Sequence, residues 1–310
     1  SIIGLRAEKF IQKYTGENSG GTIKYEDQKV IDKLDIFPST NFIFSIKENS
    51  NLRLSYSKTT ARPSFKEVSI AEIYDPLSNM TFNGNIELKP SYIDNIDVRY
   101  EIFGEENQLF AVSGFYKSFQ NPIELTYYES STENFQPKNL GNAKVFGLEL
   151  ELRRQISQSI GLNINASIIE SKQEFGESER NLRTKGLRNG EKLSDNRSLQ
   201  GQSPFLINSS IDYNDNKGLR AGMYFNVQGK TLEVVGTGFA PDVYTQPFQS
   251  LNLNFSKTFG EKQNKSITLK IDNILNSKKE SFYESFKANK EIFSYREEGT
   301  TFSIGYSIKL

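Results

Sequence analysis

Apolar and polar residues alternate along most of the chain. This period of two places neighbouring side chains on opposite faces of a β-strand. No stretch shows a comparable apolar stripe with the 3.6-residue period of a helix, so the sequence predicts an all-β fold with at most local helices. The clearest alternating stretches are Leu52–Tyr56, Ile96–Ile102, Phe146–Leu152, Ile160–Ile164, Leu219–Val227, Leu251–Phe255 and Phe302–Leu310.

The polar connections between these stretches alternate between short and long. Short turns are predicted at 48–50, 104–107, 155–159, 214–217 and 260–265. Long loops are predicted at 16–29, 62–89, 119–143, 174–202, 232–246 and 276–298. A Greek-key sandwich has no reason to sort its loops by length, whereas a membrane barrel has short turns at one end and long loops at the other. The pattern predicts an antiparallel up-and-down transmembrane β-barrel, with about twelve strands present.

Charged side chains occupy the second face of several predicted strands. Glu149, Glu151 and Arg153 alternate with leucines in one strand, and Arg99 lies between two carboxylates in another. Both signs of charge within a strand suit a hydrated lumen with cross-strand pairing, while the apolar face meets lipid. The 15 Tyr and 23 Phe could also supply aromatic girdles, although the chain has no Trp, a usual belt residue.

Composition excludes several classes of function. The 310 residues carry 38 basic and 38 acidic side chains, so no excess of positive charge favours nucleic acid. Without Cys or His, the chain has no disulfide, thiolate metal site, Cys nucleophile or His general base. We found no catalytic constellation and no phosphate-binding glycine loop, so we expect no enzyme activity, cofactor or metal site.

Six segments, in order along the chain, resemble the barrel half of TonB-dependent outer-membrane receptors. The similarity is greatest to the branch in which a carboxypeptidase-like regulatory domain precedes the plug. One departure is Leu310, because family members often end on an aromatic residue. The matching segments are Leu54–Glu67, Gly84–Tyr92, Ser113–Lys117, Asn139–Glu151, Gly201–Asn208 and Ile271–Asn276.

The resemblance implies an outer-membrane importer of a Gram-negative cell. Such receptors have 22-stranded barrels that enclose a plug, and residues 1–310 would then be a partial barrel without the plug domain and N-terminal strands. The implied partners are outer-membrane lipid, the plug, TonB and a scarce ligand such as a siderophore or oligosaccharide. Alternatively, a twelve-stranded barrel could close by itself, because even strand numbers are the rule.

Ligand contacts are expected in the long loops, where recognition residues are held by the scaffold. Flat aromatics there would suit a sugar or an aromatic chelate, and a basic cluster would suit an anionic ferric siderophore. Ordinary solvated loop residues are the competing interpretation. The candidate contacts are Tyr74, Asp75, Tyr127, Tyr128, Arg183, Lys185 and Arg188.

Two other classes of function remain open at this point. The chain could be an interaction barrel, such as an adhesin or a secretion-complex component, that holds another protein with its loops. It could also be a soluble carbohydrate-binding β-sandwich, because the local alternation is the same when the apolar face packs into a dry core. Burial of the Phe146–Leu152 leucines in such a core would exclude the membrane interpretation.

Overall fold

The computed structural model describes residues 1–76, 79–128 and 131–309. Leu310 and parts of two predicted loops lie outside these residues. Strands dominate, and the helices are short: α1 at Phe65–Val68, a 3₁₀ turn at Glu105–Asn107 and α2 at Glu177–Lys185. The first eleven strands are β1 Ile2–Glu17, β2 Lys24–Lys47, β3 Ser50–Ala61, β4 Glu72–Asp75, β5 Met80–Asn83, β6 Ser91–Phe103, β7 Leu109–Gln120, β8 Ile123–Tyr128, β9 Ser131–Asn139, β10 Asn142–Ser157 and β11 Ile160–Glu174.

The remaining strands complete the wall and its connections. They are β12 Asn196–Arg197, β13 Phe205–Asn214, β14 Leu219–Gln228, β15 Thr231–Val234, β16 Asp242–Thr245, β17 Phe248–Phe259, β18 Lys265–Asp272, β19 Lys279–Glu284, β20 Glu291–Arg296 and β21 Thr301–Ile308.

Twelve strands form one antiparallel sheet in which sequential strands are neighbours. Its order is β1-β2-β3-β6-β7-β10-β11-β13-β14-β17-β18-β21, with β12 paired beside β11. Short connections at 48–49, 104–108, 158–159, 215–218 and 260–264 lie at one end of the sheet. The connections 62–90, 121–141, 175–204, 229–247 and 273–300 lie at the other. The predicted up-and-down topology and the sorting of loops by length are confirmed.

The long connections are more ordered than the sequence predicted. The predicted loop 16–29 is wrong in extent, since β1 and β2 stay paired to Glu17 and Lys24 and leave only 18–23 between them. Two further four-stranded sheets, β4-β5-β9-β8 and β15-β16-β19-β20, form within the other connections. These segments contain tight turns and short strands. The strands have too few residues for their alternation to be distinguished from a polar loop in the sequence.

Strand register places the apolar residues of successive strands on one face of the sheet. Leu54 pairs with Val98, which in turn lies opposite Gly114, and Leu148 lies between Gly114 and Ile168. Leu148 is 63% exposed and Ile168 is 72% exposed, so this face has no protein core against it. A soluble sandwich would bury these side chains. The exposed apolar face therefore supports the membrane interpretation.

The opposite face carries a network of charged side chains across three strands. Arg99 on β6 contacts Glu101 at 3.0 Å and reaches Glu151 on β10 at 2.7 Å. Arg53 on β3 pairs with the same Glu101. The predicted pairing of opposite charges on the lumen side is thus present, and it links β3 to β6 and reaches from β6 across β7 to β10.

The sheet order ends at β1 on one side and at β21 on the other, with no pairing between them in the described residues. Among those residues, no helix has the length and apolarity needed to cross a bilayer.

Candidate ligand-binding layer

The long connections pack together into one layer, here called the loop layer, which consists of residues 62–76, 79–90, 121–128, 131–141, 175–204, 229–247 and 273–300. Its hydrophobic cluster draws on both small sheets. The rings of Tyr127 and Phe135 lie 5.4 Å apart, and Phe293 lies 6.1 Å from Phe135 and 5.4 Å from Tyr283. The buried members of the cluster are Met80, Tyr127, Phe135, Val234, Ala240 and Val243.

Backbone hydrogen bonds join the two small sheets directly. The amide of Val235 donates to the carbonyl of Leu125 at 3.0 Å, and the Thr126 hydroxyl donates to the carbonyl of Val235 at 2.9 Å. The side chain of Gln200 donates to the carbonyls of Leu125 and Glu233, at 2.9 and 2.6 Å. Three separate connections are therefore held in one arrangement, as a recognition surface requires.

A buried ion cluster lies within this layer. Arg197 donates to both carboxylate oxygens of Glu124, at 2.8 and 2.7 Å, and to Glu179 at 2.8 Å. Arg183 forms a bidentate pair with Asp242, at 3.1 and 2.7 Å, and also contacts Glu179 at 2.9 Å. Burial alone lowers the pKa of Arg197, but Glu124 and Glu179 outweigh that effect and raise the pKa above its ordinary value. Both arginines therefore remain charged and tie α2 to β8 and β16.

Close backbone contact fixes the end of α2. Gly238 has a φ of +83°, and a Cβ there would overlap the carbonyl of Leu182. Gly186 faces the carbonyl of Gly238 in the same contact. The helix thus rests directly on the turn between β15 and β16, which only glycine permits at this distance.

An open cavity of about 1060 Å³, here called the amide cavity, lies at the side of the layer near the β1–β2 connection. Tyr128 is the aromatic residue of its lining, and Glu72, Glu87, Lys89 and Lys138 add balanced charge. The Oδ1 atom of Asn83 is buried and accepts no hydrogen bond from the residues that the structure describes. The carboxamide side chains of the lining are Asn18, Asn83, Asn85, Asn121, Asn134, Gln136 and Asn139.

Several of these carboxamides shape the cavity wall. Asn139 donates to the carbonyls of Lys89 and Asn121, at 3.1 and 2.7 Å, and Asn85 donates to the carbonyl of Pro137 at 3.2 Å. These bonds hold the wall in place. They leave a surface rich in donors and acceptors but balanced in charge.

The predicted tyrosine contacts fall in different environments. Tyr74 is 58% exposed and donates its hydroxyl to Asn79 at 2.8 Å, and its neighbour Asp75 is also exposed. Tyr128 is 37% exposed and lies in the amide cavity. Tyr127 is 0% exposed, because it forms part of the hydrophobic cluster. Its position therefore supports packing of the loop layer instead of direct contact with a ligand.

The three predicted basic contacts lie in different environments. Arg183 is engaged with Asp242 and Glu179 inside the layer. Arg188 is exposed and donates its guanidinium to the carbonyl of Phe286 at 3.1 Å, while Lys185 is exposed at the end of α2. Arg183 thus acts as a structural cation. The sequence could not separate it from Lys185 and Arg188, because its partner Asp242 lies 59 residues away.

Sequence analysis did not identify the amide cavity or the Arg197 cluster. Glu124 and Arg197 are 73 residues apart, and no local spacing connects them. The cavity likewise combines carboxamides from three connections, each of which resembles an ordinary polar turn in the sequence.

The sequence matches the outer membrane protein beta-barrel family over residues 2–308. The chain belongs to this family. The protein is accordingly an outer-membrane protein, and the exposed apolar face described above is its lipid-facing surface. A search of curated proteins found no match.

Solved structures with the same fold are outer-membrane receptors and transporters. The ferric yersiniabactin uptake receptor FyuA from Yersinia pestis matches with a TM-score of 0.63 and 14% identity, over 99% of this chain and 42% of FyuA. The copper transporter OprC matches with a TM-score of 0.61 and 15% identity, over 92% of this chain and 41% of OprC. A variant of the ferric enterobactin receptor PfeA from Pseudomonas aeruginosa matches with a TM-score of 0.56 and 15% identity, over 89% of this chain and 40% of PfeA.

These identities establish the shared fold alone. The chain spans about two fifths of the length of the structures it matches.

Proposed function

We propose that this chain is the ligand-binding barrel portion of a TonB-dependent importer, and that its solute is an oligosaccharide. The observation that carries the proposal is the prefolded loop layer, with its amide cavity, at the long-connection end of an outer-membrane barrel wall. We assign this end to the extracellular side, because outer-membrane barrels have their longer loops there. A rigid concave surface of this kind binds a solute before transport, because little ordering entropy is lost on binding.

The chemistry of the cavity favours a neutral polyhydroxylated ligand. Carboxamides both donate and accept hydrogen bonds, so they match hydroxyl groups without requiring charge. Tyr128 offers a ring face for stacking, and the exposed Tyr74 offers a second ring in the same layer. An anionic ferric siderophore would favour an excess of basic side chains, whereas the two lysines of the cavity lining are balanced by two glutamates.

The energy-dependent step would reside in segments outside this chain. We propose that further strands close a 22-stranded barrel around a plug, and that TonB acts on that plug to release the solute inward. The regulatory domain of the resembled branch would lie before the plug. The present residues would supply binding and containment.

Calorimetric titration of the full-length protein tests the ligand class. The probes would be defined oligosaccharides derived from starch, xylan and mannan, with ferric enterobactin in parallel. At least one oligosaccharide should bind, and Tyr128→Ala should weaken it about tenfold, since loss of aromatic stacking and area costs on the order of 1–2 kcal/mol. Tyr295→Ala, an exposed tyrosine outside the cavity lining, should leave the affinity unchanged.

Uptake of the bound oligosaccharide should also stop when TonB is deleted. Binding of ferric enterobactin alone, with no response to Tyr128→Ala, would contradict the oligosaccharide assignment. Uptake that persists without TonB would contradict the importer itself. A surface that holds another protein and transports nothing would favour the adhesin or secretion-complex alternative.

A further inference from the structure

An apolar groove of about 550 Å³ runs along the lipid-facing side of the sheet. It lies over β6, β7, β10 and β11, midway along the strands. Gly114 forms its floor, between Val98 and Leu148 in neighbouring strands. Tyr116 and Phe146, which are paired with each other, continue it toward the loop layer.

The groove exists because Gly114, which lies in a row of residues with large side chains, has no side chain. Val98 is 44% exposed and Leu148 is 63% exposed, so both stand up from the sheet beside Gly114. A Cβ added at Gly114 would meet only the Leu148 Cδ2 atom, at 3.6 Å, which is an ordinary contact. The backbone therefore does not require glycine here for close packing, and the missing side chain leaves real space on the face.

Two lysines lie directly above the groove on the same face. Lys144 is two residues from Phe146 along β10, and it is paired directly with Lys172 on β11. Like charges placed opposite each other across strands are unfavourable unless an anion lies between them. Lys172 contacts Glu170 at 3.0 Å and lies 5.6 Å over the Phe146 ring.

Lys144 has no carboxylate partner within the described part of the chain. It is exposed, and its other cross-strand neighbour is the uncharged Ser118. Asp94 lies one strand beyond Ser118 and already accepts the Tyr56 hydroxyl at 2.8 Å. Among the residues that the structure describes, the two lysines together contact only one carboxylate, Glu170, so positive charge is in excess between them.

The height of the lysines matches a lipid headgroup. Lys144 is six residues from Leu150, near the middle of β10, which corresponds to about 20 Å along the strand. With a strand tilt of about 40° this is about 15 Å along the membrane normal, and half of the roughly 25 Å apolar band is about 12 Å. With the long connections facing outward, as in the proposed importer, the two amines lie at the headgroup level of the outer leaflet and the groove lies among the acyl chains.

We propose that this face binds one phosphorylated lipid of the outer leaflet. Its phosphate lies between Lys144 and Lys172, and one acyl chain lies in the groove over Gly114. The charge of the lysine pair and its position directly above an acyl-sized groove identify a membrane lipid as the occupant. The site is separate from the amide cavity and does not depend on the transported solute.

Native mass spectrometry of the detergent-purified full-length protein tests the site. The probes are bis-phosphorylated lipid A, diacylglycerol as an acyl lipid without phosphate, and inorganic phosphate alone. Lipid A should be retained, and the other two should not. The double variant Lys144→Gln with Lys172→Gln should lose about tenfold in lipid A affinity, because each lysine near a headgroup contributes on the order of 1 kcal/mol.

Further variants separate the two halves of the site. Gly114→Leu should fill the groove and reduce lipid A retention, while Glu170→Gln should increase it by removing the competing carboxylate. Lys265→Gln is the matched control, because Lys265 is exposed on the same face but at the short-turn end. Heat-modifiable migration on gels verifies that each variant is folded.

Equal lipid A retention by the wild type and the lysine double variant would overturn the proposal. So would retention of diacylglycerol to the same extent as lipid A, because it would reduce the site to a nonspecific apolar surface. Binding of inorganic phosphate alone would show a free-anion site and would likewise refute the lipid assignment. An increase in lipid A retention by Glu170→Gln would support the site, because misfolding would lower retention and could not raise it.

Discussion

Leu150 and Glu149 are adjacent in β10 but point to opposite sides of the wall. Leu150 pairs with Val112 and Ala166 on the apolar face, whereas Glu149 pairs with Ser113 and Ser167 on the polar face. Leu150→Lys should therefore destabilise the barrel by about 2–4 kcal/mol if the residue lies near the bilayer midplane. Glu149→Gln should have little effect, because the lumen face is hydrated.

The two β10 variants can be compared by urea titration of the full-length protein in lipid vesicles. Equal and small changes in the free energy of unfolding would contradict the assignment of the faces.

Arg197 is the residue whose loss should damage the loop layer most. Its side chain is 5% exposed, and its partners Glu124 and Glu179 are 2% and 5% exposed. Arg197→Met would leave the Glu124 carboxylate buried without a cation, whereas Glu179 would keep only Arg183, and a broken buried pair typically costs about 3–5 kcal/mol. Arg296→Met removes an exposed pair with Glu298 and should cost less than about 1 kcal/mol.

Limited proteolysis of the loop layer gives the readout for these arginine variants. If Arg197→Met is cut no faster than Arg296→Met, the buried cluster does not hold the layer together.

At this scale, the sequence predicts which side of a strand is apolar but not which loop residues are exposed. Leu148 could be assigned to a face because its neighbours alternate around it. Tyr127 and Tyr128 are adjacent and chemically identical, yet one is 0% and the other 37% exposed. Their difference depends on Phe135, from the next strand of the same connection, and on Tyr283, from a different connection, and no residue pattern next to the tyrosines indicates either contact.

Helix α2 and the β15–β16 turn depend on contact between their backbones. Gly238→Ala should add strain at a positive φ, of about 1–3 kcal/mol, and should also force the Leu182 carbonyl away. Gly190→Ala is a close control, because Gly190 has a similar φ of +81° but nothing within 4 Å of an added Cβ. Thermal melting should therefore show a larger loss for the Gly238 variant. Equal losses in melting temperature would mean that the backbone contact at Gly238 adds no stability.

Strand β16 should make the loop layer sensitive to alkaline pH. Burial, together with the nearby Asp242 carboxylate, raises the pKa of Tyr244 to about 12 from its ordinary value of 10.0. Burial also raises the pKa of Tyr127. Because the folded pKa is raised, this stabilisation is complete below the unfolded pKa near 10 and is lost as the pH rises from there toward about 12.

Thermal melting at increasing pH would measure this loss. Tyr244→Phe should flatten the dependence between pH 10 and about 12 relative to the wild type, since one titrating group is removed. Curves of the same slope would exclude Tyr244 as a contributor.

Among the elements, the wall strands were accessible from the sequence because they have at least 8 residues and most alternate clearly, although the stretch that forms β7 is ambiguous in phase. The strands of the loop layer were not, because β4, β5, β15 and β16 have only four residues each. Four residues complete just two periods of alternation, and the glycine and asparagine residues around them indicate turns equally well. Their pairing is decided by contacts between distant connections.

For the whole molecule, the open edges at β1 and β21 determine how the chain can exist in lipid. Unpaired backbone groups at a sheet edge are not satisfied by hydrocarbon. Residues 1–310 expressed alone should therefore not form a heat-modifiable barrel in vesicles, whereas the same residues within the proposed complete barrel should. A stable monomeric barrel from residues 1–310 would show instead that twelve strands close on themselves.

The shared core of the loop layer also determines what shape the protein would present at the cell surface in the proposed orientation. The outermost residues would then come from several connections that are packed around Phe135, Tyr283 and Arg197. An antibody raised against a peptide from one connection would recognise a conformation that the intact protein does not display. Antibodies against the intact protein would bind a composite epitope formed by several loops, and immune selection would favour sequence changes in several loops together.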